Sequence, residues 1–207
     1  MSLKDNQNHT QKGNQKKNQL EIIKKSATKL FAVKGYHNTS VADIIQDADI
    51  ARGTFYNHFD GKLELFDAII HDVLGSLNDS IRPIELGPGQ DPILKQLRDN
   101  FSRLFHIIKQ NPAVILSYAN SSPGLENELY AKFRVFDKEL IGMVSRSIRT
   151  GIEIGLVRKC DPTNAAHFII GGILKFFVHR SIDYNDDYNI NGLIDEILDF
   201  YTKGLMY

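Results

Sequence analysis

The chain has 207 residues, 42% of them hydrophobic, with 25 lysines and arginines against 25 aspartates and glutamates. That is ample material for a buried core, and a net charge of zero excludes a chain-wide basic coat for nucleic acid or membrane. The charge is unevenly spread: residues 1–66 carry 10 basic against 7 acidic side chains and residues 67–207 carry 15 against 18, which points to an electrostatic task at the N-terminal end.

Residues 1–18 are rich in Gln, Asn and Lys and offer little to bury. They read as a disordered basic arm, with no apolar stretch of the signal-peptide kind. Leu20, Ile23, Ala27, Leu30 and Phe31 then recur at three- and four-residue spacing. This predicts a first helix ending near Gly35. Thr39 and Ser40 precede Val41, Ile44, Ile45 and Ala48, and Ser40 with Asp43 has the spacing of a capping box for a short second helix. After Asp47-Ala48-Asp49 comes 50-IARGTFYNHFDGK-62, a third short helix of about two turns. Gly61 opens a fourth helix bearing Leu63, Leu65, Phe66, Ile69, Ile70, Val73 and Leu74.

Residues 82–92 hold three of the six prolines and form a loop. Beyond it, one helix carries Ile93 to Ile108 and a shorter one follows Pro112. A long one runs from about Glu126 to Gly151, another opens at Asp161-Pro162-Thr163, and the last covers Ile190 to Leu205. No strand-like alternation stands out. The expected fold is all-α with about nine helices: the arm (1–18), a three-helix head (19–66) and a larger helical body (67–207).

The head has the layout of a helix-turn-helix, in which the last helix enters the major groove of double-stranded DNA. Phe55 and Phe59 lie four apart and share a face that can anchor the third helix. Arg52 and Asn57 lie elsewhere around it and have the donors that read guanine and adenine edges. Gly53 lets backbone approach closely. Thr39, Ser40, Thr54, Tyr56, His58 and Lys62 complete the expected DNA-binding set, mainly as phosphate donors.

The stretch 36-YHNTSVADIIQDADIARGTFYNHFDGKLEL-65 resembles the head of the tetracycline-repressor (TetR) family. Gly35, Thr39, Gly53-Thr54-Phe55-Tyr56, His58-Phe59 and Lys62 match that family's recurrent pattern. Three positions depart from it. Asp49 stands where Gly is usual, Gly61 where Ser or Asn is usual, and Ile45 where Ala is usual. Asp tolerates a left-handed turn better than most residues. The resemblance covers about the first 70 residues by motif. It implies a body that binds a small-molecule effector and forms a homodimer, and a protein that is a ligand-responsive repressor of palindromic operators.

In the body, Phe101, Phe105, Tyr118, Phe133, Phe136, Phe168 and Phe176 are candidates to line an apolar effector pocket. For any one ring, plain core is the simpler reading. Asn120, Arg103, His106, Tyr130, Arg134, His167 and Lys175 interrupt the apolar faces. The segment 165–178 is apolar nearly all round, and the last helix presents Leu193, Ile194, Ile197, Leu198, Phe200 and Tyr201. These two helices are expected to pair with their symmetry mates.

An enzyme or a protein-binding adaptor is the alternative. Cys160, His167 and His179 carry no catalytic signature, and no His or Cys pair has metal-ligand spacing. No catalysis, cofactor or metal is expected. The single cysteine suits a reducing cytoplasm, and the apolar run at 165–178 is too short to cross a membrane.

Overall fold

A computed structural model describes residues 3–119, 128–182 and 189–205. Among them the secondary structure is helical, without a strand: α1 (Leu3–Lys34), α2 (Val41–Asp47), α3 (Arg52–Tyr56), α4 (Lys62–Ser80), α5 (Ile93–Gln110), α6 (Pro112–Ala119), α7 (Glu128–Glu153), α8 (Pro162–Ile182) and α9 (Ile190–Leu205). The chain forms two compact units, Met1–Ile70 and His71–Tyr207. Asn120 lies outside the described residues, as do the side chains of Phe177 and His179.

The first unit closes around Ile23, Ala27, Phe31, Ile44, Phe55, Leu65 and Phe66, each at most 2% exposed. Phe31, Tyr36 and Phe66 form a ring cluster with centroids 4.9–5.4 Å apart. Such tilted and edge-on pairs add to plain area burial. The capping box forms: the Asp43 N–H donates to Ser40 Oγ at 3.1 Å and the Ser40 N–H to Asp43 Oδ2 at 2.8 Å. Ion pairs Lys29–Asp47 (2.6 Å) and Lys34–Asp43 (3.1 Å) hold α2 against α1. Asp49 adopts φ 50° in the turn between α2 and α3, the left-handed backbone that its short polar side chain tolerates.

One difference from the composition lies at the N-terminus. Residues 3–18 continue α1 instead of forming an arm without structure. Gln and Lys are fair helix formers, and a helix whose nucleus is already packed at Ile23–Phe31 extends at little further cost per residue.

In the second unit, α5 packs on α9 and α7 on α8. Phe105, Leu193, Ile194 and Leu198 make one core cluster; Ile148, Ala165, Ala166 and Ile170 make another. The loop after α4 is tied to α5 by side-chain amides. Asn100 bonds both the N–H and the C=O of Arg82 at 2.9 Å, and Gln96 does the same to Glu85 at 2.8 and 2.9 Å. Asn100 and Gln96 lie one turn apart, so this face of the helix imitates a strand edge for the loop. No helix of the described residues is long and apolar enough to cross a membrane.

Candidate nucleic-acid interface

The third helix is only five residues long, so packing must hold it. Phe55 is fully buried and Phe59 is 5% exposed, and their rings meet at 6.0 Å. With that face inward, Arg52, Gly53, Tyr56 and Asn57 face solvent. Arg52 lies over the Tyr56 ring, its guanidinium carbon 5.6 Å from the centroid, which stiffens a long side chain without consuming its hydrogen-bond donors. A Cβ added at Gly53 would meet no atom within 4 Å, and its φ is ordinary. Nothing inside the protein requires this glycine. A glycine in a helix costs up to roughly 1 kcal/mol against alanine, and here it leaves the outward flank of α3 open.

Other residues of the expected set are placed differently. Thr54 is half-exposed. His58 is partly covered, and burial first, then the charge of Lys16, holds its pKa below the usual histidine value. It therefore favours the neutral ring, which can donate one N–H but brings no cation. Ser40 is exposed, yet its hydroxyl donates to Asp43 Oδ2 at 2.6 Å and accepts from the Asp43 N–H. Its work is to start α2. Thr39 is 1% exposed and donates to the Gly35 carbonyl at 2.9 Å.

Lys62 is placed differently from the phosphate-donor role read from the sequence. Its ammonium donates to the carbonyls of Tyr36 (2.7 Å), Thr39 (2.8 Å) and His37 (3.4 Å) and lies 4.4 Å from the Tyr36 ring centre. An ammonium has three donors, and these three carbonyls can engage all of them. Three acceptors and no competing donor require the protonated form, although burial lowers its pKa from the ordinary lysine value. Lys62 and Thr39 together fasten the segment that leads into α2.

Two features were missed by sequence reasoning. Gln15, Lys16 and Gln19 of α1 flank a cleft with Asn57 and His58, so a basic residue of the presumed arm stands beside the end of α3. The only signal for it was the lysine run at 16 and 17. Tyr36 is the second: its ring and carbonyl form the seat of Lys62.

Residues 23–69 match the family described as bacterial regulatory proteins, tetR family. Over those residues the head is that family's helix-turn-helix, the DNA-binding unit of transcriptional regulators. Full-length similarity is lower. The chain is 22% identical over 166 residues to the HTH-type transcriptional repressor DhaR of Mycobacterium sp. (strain GP1), covering 78% of this chain and 83% of that one. It is 21% identical over 190 residues to the fatty acid metabolism regulator protein of Bacillus subtilis, covering 90% and 94%. The crystal structure of the regulator FadR from Bacillus subtilis in complex with stearoyl-CoA superimposes with a TM-score of 0.70 at 20% identity, covering 89% and 98%. That likeness establishes the fold across both units.

The seven candidate effector rings of the second unit do not come together in one group. Phe105, with Phe101 and Phe176, belongs to the cluster between α5 and α9. Tyr118 meets Phe133 and Phe136 at 5.4 and 5.8 Å and donates to Asp137 Oδ1 at 2.7 Å; burial first, then Asp137, raises the phenol's pKa. Phe168 is 77% exposed. Phe105, Phe133 and Phe136 are at most 2% exposed, which is the core reading. Cys160 is half-buried beside the α7–α8 cluster. Among the described residues no three His, Cys, Asp or Glu side chains gather as a metal-binding group.

Proposed function

We propose that the chain is a ligand-responsive repressor that binds a palindromic operator as a homodimer and is released by a small, mostly apolar effector, acting in the cytoplasm. The observation that carries the DNA-binding half is α3: Arg52, Gly53, Tyr56 and Asn57 on the outward face, Phe55 and Phe59 beneath. Arg and Asn can each make paired bonds to a purine edge, and the open flank of Gly53 admits the close approach that such bonds need. The relative DhaR is named a repressor, which supports repression as the sign.

The homodimer is supported by what α8 and α9 leave uncovered. Phe168 is 77% and Phe200 is 74% exposed. Large exposed rings on neighbouring helices mark an association surface. Two heads are required because one five-residue helix reads too few bases, and a twofold pair reads two half-sites one helical turn apart, about 34–36 Å. An effector releases the operator only by binding the non-binding arrangement better.

Selection of duplexes from a random pool by the full chain, followed by titration at fixed salt, tests this reading. An enriched inverted repeat, bound with a salt slope reflecting several phosphates, is the expected result. Absence of any enriched sequence refutes it.

A further inference from the structure

The two turns of α1 that precede Ile23 take no part in the head's core. None of the side chains of residues 15–22 is buried, and Ile23 is fully so. Yet those turns are not featureless. Gln15, Lys16 and Gln19 lie three and four apart, so they share one face of α1. That face lines a cleft with Asn57 and His58 at the end of α3. The two sides are almost forty residues apart in sequence and meet within the first unit.

All five side chains can donate a hydrogen bond, and among the described residues no carboxylate lines the cleft. None of the five has a hydrogen-bond or ion-pair partner among the described residues. The other cations of this face of the head are answered: Lys29 by Asp47, Lys34 by Asp43 and Lys62 by three carbonyls. Lys16 is not. Its charge and the partial burial of the ring keep His58 below the usual histidine pKa, so a neutral imidazole stands beside one ammonium and the cleft carries a single positive charge. A nucleic-acid backbone offers one negative charge per phosphodiester, whereas a phosphate monoester carries about 1.5 to 2 near neutral pH. One cation among neutral donors matches the diester. Residues 3–18 hold four lysines against one aspartate, which favours the same polyanion.

We infer that Lys16, with Gln15, Gln19 and His58, seats one backbone phosphate of the operator, so that α1 and α3 grip the same half-site. The inference rests on the DNA-binding reading above and adds an element outside the helix-turn-helix to it. Asn57 lies on the cleft and on the outward face of α3, which puts the seat next to the side chains that read bases. Phosphate contacts carry no sequence information, but they fix register and orientation. A phosphate held by α1 sets the angle at which α3 enters the groove, and with it the reach of Arg52.

The test is operator binding by the full chain on duplexes in which one phosphate at a time is replaced by an uncharged methylphosphonate. One replacement in each half-site is expected to weaken the wild type by about tenfold, the loss of one charge-assisted contact. Lys16→Gln should lose a similar factor on the unmodified duplex, be indifferent to that replacement, and show a salt slope lower by about one per head. Lys17→Gln is the control: it removes an equal charge from an exposed neighbour that is not among the cleft's lining residues, and it should keep the wild-type sensitivity to that replacement. Gln matches Lys in helix propensity, so both variants should melt as the wild type does. If the wild type and Lys16→Gln respond alike to every methylphosphonate, the seat is overturned while base reading by α3 stands. If the wild type binds no duplex selectively, both readings fall. Millimolar inorganic phosphate is the probe for the other source of the same chemistry. His58 ring resonances that shift with it, while Lys16→Gln keeps the wild-type methylphosphonate pattern, assign the cleft to a free anion and overturn the inference.

Discussion

Lys62→Met removes one charge and keeps the aliphatic stem. Two charge-assisted bonds at 2.7 and 2.8 Å are lost, together with a long third and the contact with the Tyr36 ring. Each bond to a charged group contributes about 1.5–3 kcal/mol when well shielded, and the ring contact about 0.5–1 kcal/mol. The site is only half-buried, so water can reach the freed carbonyls and recover about half of that. The expected loss is about 2–3 kcal/mol, or roughly 5–10 °C in melting temperature. Amide exchange at the start of α2 should accelerate, because the segment from Tyr36 to Thr39 loses its common anchor. Operator affinity should fall with the head's order, while the slope of log affinity against log salt stays as in the wild type. A phosphate contact predicts the reverse: an unaltered melt and a slope reduced by about one per head. That second pattern would refute the clamp and return Lys62 to the DNA surface.

Arg52→Ala is expected to weaken the specific operator by about 1–3 kcal/mol and to relax one base position; selection repeated on the variant reads both. Gly53→Ala should raise melting slightly, since nothing blocks the new Cβ and helix propensity improves by up to about 1 kcal/mol, yet it should lower operator affinity; a variant gaining in both speaks against close approach at this residue. The hydrogen bonds from Ser40, then the ion pair with Lys34, hold the Asp43 carboxyl at about 2. A depressed carboxylate stabilises the fold above its unfolded pKa and loses that contribution as pH falls through the folded one. Asp43→Asn should therefore melt lower than wild type at neutral pH, with the difference shrinking from about pH 4 and gone near pH 2. For assembly, Phe168→Glu combined with Phe200→Glu should yield folded monomers in analytical ultracentrifugation, because burying each ring contributes roughly 1.5–3 kcal/mol and a twofold axis uses each ring twice; a dimer that persists places the interface elsewhere.

The head was legible because its signals are local and ordered. Phe55 and Phe59 sit four apart, and the structure buries both. Ser40 and Asp43 sit three apart and cap as spaced. Asp49 takes the left-handed turn. What sequence could not give was direction. Thr39 and Lys62 are polar residues at a helix edge, and such side chains serve solvent or backbone equally well. Only the carbonyls of Tyr36, His37 and Thr39, more than twenty residues away in sequence, decide the matter for Lys62.

The body shows the same limit more severely. Counting rings treats Phe105 and Phe168 alike, although one is 1% and the other 77% exposed. A pocket is a property of which helix faces which, and that depends on contacts between distant residues. Gly75 and Gly142 lie far apart in sequence, on two different helices. Packed in one unit, they line a single groove. Arg134, Lys138 and Arg146 follow a four-residue row that sequence alone displays. Its meaning, however, requires the opposite wall. A row of cations on one helix reads the same in sequence whether it faces open solvent or shares a groove with Leu74 and Met143, as it does here.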